Sequence, residues 1–191
     1  LQALLSKDLD AAPLTPEQRI HRTKSREFRP DGFLRKFKTS QLVYNYLGFN
    51  LSNPLFRDAK TRVAVSHLVD RDRIVKDIYY GLAVPVSGPF FPEGPAYDKS
   101  VKPYSYSPEL AKKLLAEAGW RDEDGDGILE RGGQKFKFTL MYPNANETYK
   151  RMLPIIKEAM AKAGVQMELL GLDWSVCVQR LEKKSFDMCA L

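Results

Sequence analysis

The stretch Phe136-Lys137-Phe138-Thr139-Leu140-Met141-Tyr142, together with residues 143–190, decides the fold. Apolar residues alternate from Phe136 to Tyr142 as in a half-buried strand. Glu147 to Ala163 then reads as a helix, with Met152, Ile155, Ile156, Ala159 and Met160 turned inward and Gly164 as its stop. Pro154 is expected to limit its early turns. Val165-Gln166-Met167-Glu168-Leu169-Leu170 is a second strand. Asp173 caps a further helix, where Trp174, Cys177, Val178 and Leu181 share one face. Phe186-Asp187-Met188-Cys189-Ala190 is a third strand. Strand–helix–strand–helix–strand predicts a parallel sheet with right-handed crossovers.

Parallel strands joined in this way end on one edge, and open α/β sheets bind ligands outside those ends. The loop after Tyr142 brings Asn144, Asn146 and Tyr149 to that edge, and the loop after Leu170 brings Asp173 and Trp174. Amide side chains both donate and accept, as recognition of a peptide backbone requires. A Trp at a helix start can stack on a ligand with its N–H free to bond. The structural alternatives are core packing for Trp174 and turn chemistry for Asn144 and Asn146.

Upstream, Leu42 to Asn50 reads as a strand and Asn53-Pro54 as a turn. Asp58 caps a helix running to about Leu68, and Asp70 a second one stopped at Gly81. Residues 82–106 are rich in Pro and lack periodicity, as in a functional loop or a wrapping connector. Ser107-Pro108 starts another helix, closed by Gly119.

Asp122-Glu123-Asp124-Gly125-Asp126-Gly127-Ile128 copies the start of a calcium loop. The bidentate Glu that such a loop needs at position 12 falls on Gly133, and Glu130 stands at position 9. A tight turn opening a hairpin is the main reading of Asp122, Asp124 and Asp126, and weak calcium binding the other. No other metal and no cofactor is expected.

The 191 residues carry a net charge of +6, with 43% hydrophobic and 28% charged residues, which excludes disorder and a disulfide scaffold. No apolar run is long enough for stable membrane insertion. Residues 1–41 form a separate basic segment, hinge-flanking or partly ordered. Between Arg19 and Lys38 stand eight Lys and Arg against Glu27 and Asp31. A solvated basic face is one account of this stretch. A basic nucleic-acid-binding α/β domain is the alternative, and a steep loss of DNA retention with salt would mark it. Cys177 and Cys189 form no C-x-x-C, which leaves two buried thiols or a disulfide. His21 and His67 have no nucleophile or metal partner in sequence, and no G-x-S-x-G, P-loop or H-E-x-x-H occurs, so no enzyme is expected.

An ordered series of short motifs resembles one family. It comprises Tyr46-Leu47-Gly48-Phe49-Asn50, Asn53-Pro54-Leu55-Phe56-Arg57-Asp58, Arg62-Val63-Ala64-Val65-Ser66, Asp70-Arg71 with Ile74-Val75, and Gly81. It continues with Ala111 to Leu115, Ala118-Gly119-Trp120, Asp124 to Ile128, Asp173-Trp174 and Phe186-Asp187. The whole is similar to the extracytoplasmic solute-binding proteins of peptide/nickel-type ABC importers, over about residues 42–191. Asp8-Leu9-Asp10 fits the same family more weakly. Thr61 departs from it, standing where the family usually carries Val, a packing detail on this reading.

The resemblance implies a periplasmic-binding-protein-like α/β lobe, with a partly parallel sheet flanked by helices, covering 42–191 and cut at both ends. It implies capture of a peptide or other small solute for an ABC permease, in the periplasm or, by lipid anchoring, outside a Gram-positive membrane. It also implies that Trp174 lines the pocket, that the loop Asn144–Tyr149 faces the cleft and that the Asp-Gly-Asp-Gly turn is structural. On this resemblance residues 42–191 make up most of the family's second lobe, and the first lobe would complete the cleft, so the chain alone should bind weakly. Its uncovered apolar surface would favour self-association.

Overall fold

In the computed structural model, which describes residues 1–191, β4 (Lys137–Pro143) is the centre of a four-stranded sheet ordered β1-β6-β4-β5. In chain order, α1 is Gln2–Leu5, β1 Leu47–Phe49, α2 Ala59–Ser66, α3 Arg71–Asp77 and α4 Pro108–Glu117. Then come β2 Glu130–Arg131, β3 Gln134–Lys135, β4, α5 Glu147–Lys162, β5 Gln166–Leu172, α6 Trp174–Glu182 and β6 Met188–Ala190. β4 pairs in parallel with β5, from Lys137↔Gln166 to Pro143↔Leu172, and in parallel with β6 through Leu140↔Met188. β1 runs antiparallel to β6 on the sheet's edge. The sheet is therefore partly parallel, with the three C-terminal strands pointing one way.

The chain divides into two compact units. One comprises Leu1–Val43 with Asp72–Pro85, the other Tyr44–Arg71 with Val86–Leu191. Residues 72–85 thus group with the N-terminal segment, and the second unit is built from two stretches of chain. Within the first unit a π-helical turn, Gln18–Arg22, and a 3-10 turn, Arg26–Phe28, carry the basic stretch. Several of its cations are spent on local partners. Arg19 Nη1 donates to the Phe37 carbonyl at 2.9 Å, and Lys36 Nζ donates to Thr23 Oγ1 at 3.1 Å.

In the second unit the core is an aromatic cluster. The Phe56 ring lies 5.1 Å from both Phe49 and Phe138, and Trp120 stacks on Phe136 at 4.3 Å. α2 packs against α4. Both helices start as their sequences require. Asp58 accepts from the Lys60 and Thr61 amides, and Ser107 accepts from Leu110 with Pro108 in the first turn. Thr61 is more than packing. Its hydroxyl donates to Asp58 Oδ2 at 2.7 Å and accepts the buried Trp120 indole N–H at 3.1 Å. The Pro-rich segment is pinned where it meets α4, because the Ser105 carbonyl lies 2.7 Å from His67 Nδ1 and Arg71 Nη1 donates to the Tyr104 carbonyl.

Three expectations needed adjustment. Of the strand expected over 42–50, Leu47–Phe49 forms β1 and Tyr46 exchanges two backbone hydrogen bonds with Leu191, while Leu42 and Val43 stay 80% and 74% exposed. α5 runs unbroken through Pro154, whose exposed face leaves the inward residues undisturbed. Leu153, not Ile155, is buried beside Met152 and Ile156. The two cysteines are free and buried.

Candidate functional site

The end of β4 and the end of β5 lie side by side because the two strands are parallel and in register at Pro143↔Leu172. The next residue of each strand continues the pairing. The Asn144 amide donates to the Leu172 carbonyl at 2.8 Å, and Asn144 Nδ2 donates to Asp173 Oδ1 at 3.0 Å. Asn144 and Asp173 are both exposed. Their side-chain bond fixes an amide and a carboxylate on one rim, with acceptor positions left for a ligand.

Trp174 follows Asp173 and opens α6 on the same rim. It is 59% exposed, whereas Cys177 on the same helix is fully buried. The helix therefore does not use Trp174 for its core contact, and the indole stands free to stack on a bound group. Asp173 is the N-terminal flanking residue of α6 but makes no side-chain capping bond, so its carboxylate is committed to the rim instead.

Two other predicted site residues serve the scaffold. Asn146 caps α5, its Oδ1 accepting from the Thr148 and Tyr149 amides at 3.0 and 3.2 Å. Tyr149, expected to face the cleft, is 3% exposed, and its hydroxyl donates to Asn45 Oδ1 at 2.9 Å. The reason is helical phase. Tyr149 precedes Met152, Leu153 and Ile156 by three, four and seven residues and shares their inward face.

Sequence reasoning missed Tyr142 and Gly171. Tyr142, next to last in β4, is half-buried at the rim. A Cβ placed on Gly171 would meet the Tyr142 ring and hydroxyl at 3.1 Å and Asn144 Cβ at 3.3 Å. Gly171 thus leaves room for both side chains to lie across the end of β5. An isolated Gly following the apolar pair Leu169-Leu170 within a strand was the available signal.

The loop Asp122–Ile128 is a chain of carboxylate-capped turns. Asp122 accepts from the Gly125 and Gly127 amides at 2.8 and 3.1 Å, Asp124 from Asp126 and Asp126 from Ile128. Lys135 bridges Asp124 and Asp126. Hydrogen bonds to Asp126 and Asp124 raise the lysine's pKa, and the bond from Lys135 lowers that of Asp126.

A partly parallel α/β sheet with an aromatic and polar rim at the carboxyl ends of its parallel strands has the arrangement in which open α/β sheets bind ligands. The model of the bacterial extracellular solute-binding proteins, family 5 middle, matches residues 1–191, and the chain belongs to that family. The match reaches past residue 42, where the specific motifs begin. The chain is 34% identical over 155 residues to the oligopeptide-binding protein AppA of Bacillus subtilis (strain 168), covering 78% of this chain and 28% of AppA. It is 32% identical over 143 residues to the dipeptide-binding protein of Escherichia coli (strain K12), covering 73% and 24%. AppA's structure in complex with a nonapeptide superposes with a TM-score of 0.74 over 78% of this chain and 30% of that one. NikZ of Campylobacter jejuni in complex with Ni(L-His) superposes over the whole chain and 36% of NikZ, with a TM-score of 0.84 at 23% identity, a likeness of fold alone. The chain thus spans under a third of AppA's length. These relatives are solute-binding proteins, not enzymes. No helix is long and apolar enough to cross a membrane.

Proposed function

We propose that this chain supplies one wall of the ligand cleft of an ABC importer's solute receptor, and that the solute is a peptide. The observation that carries the reading is the rim of Asn144, Asp173 and Trp174 beyond the parallel ends of β4 and β5. The amide and carboxylate suit the N–H and C=O groups of an extended peptide, and the indole suits its side chains. The names of AppA and the dipeptide-binding protein support peptides over nickel chelates. The remaining wall belongs to the other lobe of a longer protein, and closure between the lobes encloses the solute. The receptor works in the periplasm, or outside the membrane on a lipid anchor, and delivers to an ABC permease.

Calorimetry with short peptides tests this. The 191-residue chain alone binds none at micromolar affinity, because enclosure needs both walls. In the longer receptor, Trp174→Ala weakens peptide binding by about 2 kcal/mol, close to thirtyfold, as for a stacked aromatic anchor. Unchanged affinity in that variant would remove Trp174 from the cleft.

A further inference from the structure

The carboxylates below the Asp-Gly-Asp-Gly turn hold one feature that turn chemistry leaves unexplained. Glu130 lies in β2, paired with Lys135 of β3 and bridged to Arg121 by two backbone hydrogen bonds. This pairing drives its side chain inward, to 7% exposure. Glu130 Oε2 accepts the Glu123 amide at 2.9 Å. Glu130 Oε1 is buried and accepts no hydrogen bond. The Lys135 ammonium stands 3.4 Å from that oxygen, close enough for charge attraction, but it donates to Asp124 and Asp126 instead. The ion pair leaves that desolvated oxygen without a hydrogen-bond donor, which is costly.

One ligand oxygen from each of Asp122, Asp124 and Glu130 lies within 4.8 Å of the others. We propose that this cluster is a weak divalent-cation site of the calcium class, with Glu130, Asp122 and Asp124 as its protein ligands and Lys135 as the internal cation that an entering ion displaces. Hard oxygen ligands suit calcium, and its flexible shell accepts water or backbone carbonyls at the remaining positions. Magnesium would hold its waters too firmly to use so irregular a set. Lys135 can leave, since its side chain is 40% exposed. Its departure is also why the site is weak, because the ion must outcompete an ammonium already bonded to two aspartates. Extracellular modules bind calcium at about 10⁻⁴–10⁻³ M, the range in which a competed site still fills.

Calorimetric titration of the 191-residue chain with CaCl₂, and separately with MgCl₂, tests the proposal. The expected result is saturable calcium binding at about 10⁻⁴–10⁻³ M and weaker magnesium binding. Lys135→Met should tighten calcium at least about tenfold by removing the competitor, and Glu130→Gln should weaken it by a similar factor. Asp124→Asn should weaken it too, and this exposed position keeps the test valid if the buried Glu130 variant fails to fold. No saturable heat from the wild-type chain up to about 10 mM would overturn the proposal, even if Lys135→Met binds. Lys135 would then be the loop's permanent counter-ion. Equal affinity in Asp124→Asn and wild type would overturn it as well.

Discussion

Asp187→Ala should unpin the sheet at a point far from the rim. The Asp187 carboxylate accepts the Asn53 side-chain amide at 2.7 Å on Oδ1 and the Thr139 backbone amide at 2.9 Å on Oδ2. It therefore ties the turn after β1 and the central strand β4 to the entry of β6. The Asp187 carbonyl also takes the Asn50 amide, a bond that the substitution leaves in place. Hydrogen bonds to a charged acceptor contribute about 1.5–3 kcal/mol each. Asp187 and Asn53 are only half-buried, so the lower end applies, and two bonds give about 3 kcal/mol. For a domain of this size that lowers Tm by about 6–12 °C. Asp187→Asn keeps one acceptor and should lose about half as much. Thermal melts followed by circular dichroism read both variants. A fall below about 2 °C for Asp187→Ala, or equal losses in the two variants, would refute the reasoning.

Thr61→Val should cost about 1–3 kcal/mol, because the Trp120 indole N–H is left buried without its acceptor, while Thr61→Ser keeps the hydroxyl and most of the stability. Equal stability of wild type and Thr61→Val in urea would show that the hydroxyl link is idle. Burial raises the pKa of both thiols, chiefly through desolvation, so the thiolate is scarce near neutral pH. Labelling of Cys177 and Cys189 at about pH 8 should be on the order of a hundredfold slower in the native protein than in denaturant, and rapid native labelling of either thiol would contradict this packing.

The order of elements was legible because local signals agree with it. The caps at Asp58 and Ser107 and the positions of β4 and β5 each match the structure. β1 was overread because alternation reports a pleated surface without reporting how far the neighbouring strand extends, and at this edge the pairing begins only at Tyr46. Pro154 was overread because a proline on an exposed helix face gives up one hydrogen bond while the packing of Met152, Leu153 and Ile156 stays intact. At the rim, Asp173 and Trp174 follow from the strand order, which fixes the edge on which they emerge. Tyr149 did not, although its spacing from Met152 and Ile156 carried the information. The Glu130 carboxylate depends on the β2–β3 pairing, and two-residue strands leave too short a pattern to read.

Trp174 is the exposed member of the chain's two tryptophans, with Trp120 1% exposed, so a ligand that reaches the rim changes the emission of one indole and leaves the other unaltered. The most direct test is to follow that emission in the longer receptor as short peptides are added. A saturable spectral change that disappears in Trp174→Phe, at the concentrations where calorimetry detects binding, is the predicted result. Peptide binding that leaves the Trp174 emission untouched would place the ligand elsewhere and contradict the account.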